Sequence, residues 1–252
     1  MSGTKSASRM APATEPVRPG AVIVAHGQPS NPAPAEAALQ MLAGKVARHL
    51  PGWDVTSATM AAPDVLEQRL QQHSNAAIYP VFMADGWFTT AALPKRLRDS
   101  GKPQLMRPLG MDPRLPAIAA DVTAQAVAAR GWNMAETCLI IAAHGGQASR
   151  NPAKAARVFT AALAALTGFA DIRLGFIEES PDLSDVAAGA GEKALCLPFF
   201  AANGRHVRWD IPAALSKAGF EGGVLDAIGL ADHIPDLIAQ SLMQNTCQRA
   251  AL

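Results

Sequence analysis

Short apolar runs alternate along this chain with segments in which apolar residues recur at helical spacing. The clearest run is Cys138–Ala143, and the segment Asn151–Leu166 that follows it is apolar every three to four residues. Short runs that are apolar throughout are typical of strands buried on both faces, and helical crossovers are what parallel strands need. The pattern therefore predicts an α/β protein with parallel sheets covered by helices.

The second part of the chain contains four such strand and helix units. The predicted strands there are 138–143, 172–177, 194–200 and 223–227. The predicted helices are 151–166, a short helix after Pro181, one from about Pro212, and a last one that begins with Pro235–Met243. The first part shows the same order, with strands predicted near 21–25, 54–59, 76–82 and 104–108.

The chain repeats itself at a shift of 118 residues. AVIVAHG at Ala21–Gly27 matches LIIAAHG at Leu139–Gly145, and YPVFMADG at Tyr79–Gly86 matches LPFFAANG at Leu197–Gly204. We therefore predict two tandem duplicated halves, each a four-stranded parallel sheet flanked by helices. The expected organisation is a disordered tail over 1–19, an N-terminal half over 20–131 and a C-terminal half over 136–246, with the linker near 131–136.

Ionisable side chains follow three strands of the second half. His144 follows the first strand, Glu178 the second, and His206 lies in the loop after the third. In open parallel sheets ligands bind beyond the carboxyl ends of the strands, where these side chains should converge. Two imidazoles and a carboxylate suit a divalent first-row metal ion, and they equally suit general-base catalysis.

The first half lacks most of this chemistry. At the shift of 118 residues, His144 corresponds to His26, Glu178 to Met60 and His206 to Phe88. We therefore expect the second half to carry the complete site and the first half to carry a degenerate one.

Composition narrows the function classes. Lys and Arg number 22 against 21 Asp and Glu, which predicts no nucleic-acid partner. No apolar stretch is long enough to span or bind a membrane, and the tail lacks a secretory apolar segment, so a cytoplasmic protein is expected. The three cysteines form no CxxC pair, which argues against a disulfide framework and a structural zinc site. The P-loop pattern is absent, which argues against ATP-driven chemistry.

The motifs together resemble one family. The strand ending in AHG, the segment FIEESP and the segment LPFFAANGRHVRWDIP are similar to the sirohydrochlorin chelatases of the CbiX/SirB type, in their long two-copy form. The most specific piece is Gly204–Pro212, which matches the family pattern G-x-H-x-x-x-D-I-P. In one respect the chain departs from long members of the family, in which the complete trio often lies in the N-terminal copy.

The resemblance implies an enzyme of the lyase class that inserts Co²⁺ or Fe²⁺ into sirohydrochlorin without ATP, in cobalamin or siroheme biosynthesis. The divalent metal would be a substrate, and no organic cofactor would be needed. His144, His206 and Glu178 would be the catalytic and metal-binding residues. Arg205, Arg208 and His26 are the predicted substrate-binding residues: the two arginines could pair with the carboxylates of sirohydrochlorin, and His26 could contact the macrocycle across the cleft between the halves. A monomer is expected, since one chain supplies both walls of a cleft.

Several alternatives stay open. A non-catalytic carrier of metal or tetrapyrrole is the main one, and the degenerate first half favours it. A histidine phosphotransfer enzyme is disfavoured, because Ala25 and Ala143 stand where an arginine generally precedes the histidine. Asp210 has two candidate roles, orienting His206 or capping the next helix, and the cap is the favoured one. Glu178 is favoured over its neighbour Glu179 as the functional carboxylate.

Overall fold

The structure, a computed structural model, describes residues 18–73, 75–98, 100–146 and 149–250. The predicted tail lies outside these ranges, apart from its last two residues. Within the described ranges, no helix combines the length and the apolar character that crossing a bilayer requires.

Strands and helices alternate in both halves. The first half contains β1 (Gly20–Ala25), α1 (Pro32–Arg48), β2 (Asp54–Thr59), α2 (Val65–Gln72), β3 (Ala77–Pro80), α3 (Leu93–Leu97), β4 (Gln104–Leu105) and α4 (Leu115–Ala129). The second half contains β5 (Cys138–Ala143), α5 (Asn151–Leu166), β6 (Asp171–Phe176), α6 (Leu183–Ala187), β7 (Ala194–Pro198), α7 (Ile211–Lys217), β8 (Gly223–Val224) and α8 (Ile234–Ala250).

The strands form two four-stranded sheets with the same topology. Their orders are β2-β1-β3-β4 and β6-β5-β7-β8, and every pair is parallel. The predicted fold class of two tandem α/β halves is confirmed. The first strand of each half lies inside its sheet, so the loops after β1 and β5 are flanked on both sides by loops of neighbouring strands.

Alternate residues of the inner strands β1 and β5 face two different cores. Ile23 and Ile141 belong to one large core that includes residues of both sheets and of α1, α4, α5 and α8. Val22 faces a smaller core with α2 and α3, and Ile140 faces another with α6 and α7. Because successive strand residues point to opposite faces, each sheet contributes one face to the shared core.

The last helix of each half packs against the first helix of the other half: α4 against α5, and α8 against α1. A polar cluster joins the start of α4 to α8. Arg114 pairs with the carboxylate of Asp112 at 2.6 Å and donates to Ser241 and to Gln240 of α8. Burial would raise the pKa of Asp112, but hydrogen bonds from Arg114 and Ser241 hold it below the usual value.

The sheet edges differ from the sequence prediction. Strands β4 and β8 are two residues long instead of five, although β5 and α5 have the predicted bounds. The chain leaves each edge early and enters a short helical turn whose glycine touches the preceding loop: a Cβ at Gly110 would collide with the backbone of Met83, and one at Gly229 with that of Ala201. The last helix, predicted to begin with Pro235–Met243, runs over Ile234–Ala250.

Candidate metal centre

Three loops at the carboxyl edge of the second sheet bring His144, Glu178 and His206 together. His144 follows β5 directly, Glu178 comes two residues after β6, and His206 begins the π-helical turn His206–Asp210 that leads into α7. One ligand atom from each side chain lies within 4.8 Å of the others. Within the described ranges, no other group of three or more His, Cys, Asp or Glu side chains has this spacing. The predicted trio is therefore assembled in space.

The spacing inside the trio suits a shared ion rather than a closed hydrogen-bond network. His144 Nε2 lies 3.6 Å from Glu178 Oε1, and the two imidazole rings meet edge-to-face with centroids 4.5 Å apart. A distance of 3.6 Å is too long for a hydrogen bond, so both atoms are available to a third partner. The Glu178 side chain is 46 % exposed and the His144 side chain 40 %, which leaves the site open to solvent.

The Nδ1 atom of each imidazole already has a partner. His144 Nδ1 lies 3.1 Å from the carbonyl oxygen of Gly145, and His206 Nδ1 lies 2.7 Å from the Asp210 carboxylate. Both partners are acceptors, so in the neutral imidazole Nδ1 is the protonated nitrogen and Nε2 is the one with the lone pair. Asp210 makes no side-chain cap bond to α7. The predicted capping role is therefore wrong, because the carboxylate is turned towards the imidazole instead.

The neighbouring glutamates have different surroundings. Glu179 accepts hydrogen bonds from the Gly146 N–H at 2.9 Å and from Arg157 at 3.3 Å. It also packs against Gly145, whose φ of +74° and whose lack of a Cβ leave room for the glutamate stem. Glu179 thus holds the loop that carries His144, and Glu178 is the carboxylate beside the imidazole, as the sequence favoured.

The first half keeps the geometry of this site with different chemistry. Phe88 meets His26 edge-to-face at 4.2 Å and 83°, against 4.5 Å and 83° for the two histidines of the second half. Phe88 also begins a π-helical turn with the corresponding bounds, Phe88–Ala92. Phe88 is therefore the spatial counterpart of His206, as the shift of 118 residues predicts.

The predicted counterpart of Glu178 is wrong. The N–H of Glu178 donates to the carbonyl of His144, and in the first half the residue that donates in the same way to His26 is Ala61, not Met60. Residues of β2 and β6 that have equivalent partners in β1 and β5 are separated by one residue less than the constant shift of 118. The loop after β6 has one extra residue before the proline that both halves share, so a fixed offset fails there.

The predicted substrate-binding side chains are all exposed to solvent. Arg205 and Arg208 flank His206 and are exposed, and in the described part of the chain neither has an ion-pair partner. His26 is also exposed, with Nδ1 2.6 Å from the carbonyl oxygen of Gly27. Trp87 and Trp209, which lie close to Phe88 and His206 in the sequence, are 66 % and 71 % exposed.

One contact at this edge could not be anticipated from the sequence. The Asn151 side chain, at the start of α5, donates to the backbone oxygen of Asp85 at 2.7 Å. Asp85 lies in the loop after β3, so the carboxyl edges of the two sheets adjoin here. No motif marks Asn151, since its partner is a backbone atom 66 residues away.

No cysteine belongs to the group of ligand atoms that the described residues bring together. Cys138 and Cys196 are buried in the second half, Cys247 is exposed, and all three are free. Burial raises the pKa of Cys196 to about 12, so this thiol stays protonated at neutral pH.

Comparison with known proteins agrees with the sequence motifs. The CbiX family profile matches residues 138–245, the half that carries the trio. The solved structure of CbiX, the terminal enzyme for biosynthesis of siroheme in denitrifying bacteria, is 45% identical, with a TM-score of 0.82 over 90% of this chain and 99% of that one. No curated protein matches the sequence significantly.

Two more distant structures share the fold. SirB from Bacillus subtilis with Fe³⁺ is 13% identical, with a TM-score of 0.74 over 93% of this chain and 98% of that one. A multi-domain protein of Deinococcus radiodurans, similar in structure to chelatases, is 20% identical, with a TM-score of 0.71 over 90% of this chain and 55% of that one. With 45% identity to CbiX over nearly its whole length, the chain belongs to the CbiX family of chelatases.

Proposed function

We propose that this protein inserts a divalent metal ion, Co²⁺ or Fe²⁺, into sirohydrochlorin without ATP, in cobalamin or siroheme biosynthesis. The observation that carries the proposal is the open cluster of His144, Glu178 and His206, whose ligand atoms lie within 4.8 Å of one another. Membership of the CbiX family supports the reaction class.

The three side chains would hold the metal substrate from one side. The available Nε2 atoms of His144 and His206 and the Glu178 carboxylate are ligands that both Co²⁺ and Fe²⁺ accept. The described residues offer three protein ligands, and the trio is partly exposed, so further coordination positions would face outward. An ion held in this way can transfer to a stronger ligand, the four nitrogens of a macrocycle.

Insertion releases two protons, because two pyrrole N–H groups must lose their hydrogens as the metal enters. The side chains that release the metal are the nearest bases able to accept these protons. As Co²⁺ or Fe²⁺ moves to the macrocycle, His144 Nε2 and the Glu178 carboxylate each regain a free lone pair. Metal release and proton uptake would then be two parts of the same exchange.

The macrocycle would bind where the carboxyl edges of the two sheets adjoin, near the Asn151 to Asp85 contact. The exposed guanidinium groups of Arg205 and Arg208 would pair with its carboxylates, and His26 would contact it from the first half. Because one chain supplies both edges, a monomer is sufficient for this arrangement.

An anaerobic insertion assay tests the site directly. Sirohydrochlorin is mixed with Co²⁺ or Fe²⁺, and its visible spectrum is followed with the wild type and with His144→Ala, His206→Ala and Glu178→Ala. We expect kcat/KM to fall about 10²- to 10⁴-fold in each variant. His49→Ala is the matched control, because His49 is an exposed histidine at the end of α1. Equal loss in the control, or full activity in the trio variants, would contradict the assignment.

A further inference from the structure

Asp210 makes one side-chain hydrogen bond among the described residues, and it is to His206. The Asp210 Oδ2 to His206 Nδ1 distance is 2.7 Å, and both side chains are about one-third exposed. Asp210 stands at the N-terminus of α7, where a carboxylate commonly caps the first turn, yet it makes no cap bond. Asp210 therefore bonds to the imidazole of His206 and not to the backbone of the helix.

The first half shows what the turn needs for its own stability. Ala92 occupies the position that corresponds to Asp210, and the turn Phe88–Ala92 is π-helical like His206–Asp210. The helix that follows begins at the next residue in both halves. The turn and the helix therefore form without a carboxylate. Within this chain, the histidine and the aspartate are present together in one half and absent together in the other.

The two histidines of the site are oriented by different acceptors. His144 Nδ1 faces the backbone oxygen of Gly145 at 3.1 Å, whereas His206 Nδ1 faces a charged carboxylate at 2.7 Å. A hydrogen bond to a charged acceptor is about twice as strong as a neutral one. It fixes the tautomer and the ring orientation and raises the basicity of the opposite nitrogen.

We propose that Asp210 is a positioning residue for metal transfer: it holds the proton of His206 on Nδ1, so that Nε2 is presented as a metal ligand beside His144 and Glu178. The proposal rests on the proposed function only in taking His206 as a ligand of the metal substrate. Asp210 itself does not touch the metal.

The first test measures metal affinity and the tautomer separately from insertion. Co²⁺ alone is titrated into the wild type, Asp210→Ala and Asp210→Asn, and the His206 tautomer is read from its ring ¹⁵N shifts by NMR. Asp210→Ala should weaken Co²⁺ binding about 10- to 100-fold and lower the share of the Nδ1–H tautomer. Asp210→Asn, which keeps an acceptor without the charge, should fall between the two.

Asp171→Ala is the matched control, because this aspartate pairs with Arg173 at the opposite end of the sheet, and it should change neither readout. Unchanged Co²⁺ affinity in Asp210→Ala would overturn the proposal. So would a loss of affinity and of thermal stability with the tautomer unchanged, because that outcome indicates a structural role.

A second test uses the first half, where folding does not depend on a carboxylate. Phe88→His is compared with Phe88→His/Ala92→Asp, and the tautomer of the introduced imidazole is read without metal or macrocycle. The added aspartate should shift the imidazole towards the Nδ1–H form, because the turn has the geometry of the second half. An identical tautomer in both variants would overturn the proposal. A protein that fails to insert metal would leave this result intact and would refute the proposed function alone.

Discussion

The clearest difference between the two halves is one ring, which is Phe88 in the first half and His206 in the second. Phe88 and His206 meet the preceding histidine at the same 83° angle, and their centroid distances differ by a few tenths of an ångström. The two rings fill the same space, but only the imidazole has a nitrogen lone pair for a metal ion. The loss of metal-binding chemistry in the first half therefore required no change in backbone geometry at this turn.

The exposed arginines Arg205 and Arg208 give a prediction about substrate affinity. Arg205→Gln and Arg208→Gln should each raise the KM for sirohydrochlorin roughly fivefold with little change in kcat, because an exposed ion pair contributes about 1 kcal/mol. Steady-state kinetics at low and high salt would check this, since screening should raise the wild-type KM as well. Lys45→Gln is the control, a loss of one exposed cation on α1. A fall in kcat with KM unchanged would count against a binding role.

At the level of loops and strands, the site depends on how the chain turns after β5. Gly145 adopts a φ of +74°, and a Cβ there would lie 2.6 Å from the Glu179 side chain. The Glu179 carboxylate also accepts a hydrogen bond from the Gly146 N–H, so the loop is fixed by packing at Gly145 and by this hydrogen bond. His144 is therefore placed by its neighbours in the loop as much as by its strand.

Gly145→Ala should destabilise the protein by about 1 to 3 kcal/mol, since a side chain at this φ is strained and would displace Glu179. Chemical denaturation of the variant measures the loss. Gly204→Ala is the matched control: Gly204 is also near the site, but a Cβ there would meet nothing within 4 Å. If the two variants were equally stable, the tight approach at Gly145 would not matter to the fold.

The elements that the sequence predicted best are the buried ones. The bounds of β5 and α5 follow from an unbroken apolar run and an amphipathic pattern, which are strong local signals. The edge strands were predicted too long, because their ends are set by contacts such as that of Gly110 with Met83, which are distant in sequence. The one-residue offset after β6 was missed for the same reason: strand register is a property of pairing, not of spacing.

At the scale of the whole molecule, the two halves share one core. The helices α4 and α8 each pack against the other half, and the partly buried group of Asp112, Arg114 and Ser241 joins them. The duplication and the location of the trio were predictable from sequence. The packing of α4 and α8 against the other half and the Asn151 contact could not be predicted. Matching the repeats shows which segments of the two halves are similar, but not how the halves pack.

The interface predicts a pH-dependent contribution to stability. Asp112→Asn should lower the free energy of unfolding by about 2 kcal/mol at neutral pH, because it leaves Arg114 without its carboxylate. The native pKa of Asp112 is held below its ordinary value of 3.8, so its stabilisation is complete above that value. The stabilisation is lost as pH falls through the native pKa, and the gap between wild type and variant should narrow.

Urea unfolding from pH 7 down to pH 3 measures this gap. Glu136→Gln is the control, since Glu136 pairs with Lys193 in an exposed position and its loss should leave stability nearly unchanged. A gap that widened on acidification would mean that Asp112 is not held ionised in the native protein.

A second half that catalyses metal insertion differs from one that only carries metal or macrocycle in the number of products that each chain forms. The most direct measurement is the amount of metallated sirohydrochlorin formed per protein chain, under anaerobic conditions with excess Co²⁺ or Fe²⁺ and excess macrocycle. We expect many products per chain with the wild type, at a rate above the uncatalysed reaction, and loss of this turnover in His206→Ala. One product or fewer per chain, with macrocycle still bound, would rule out catalysis and identify a carrier.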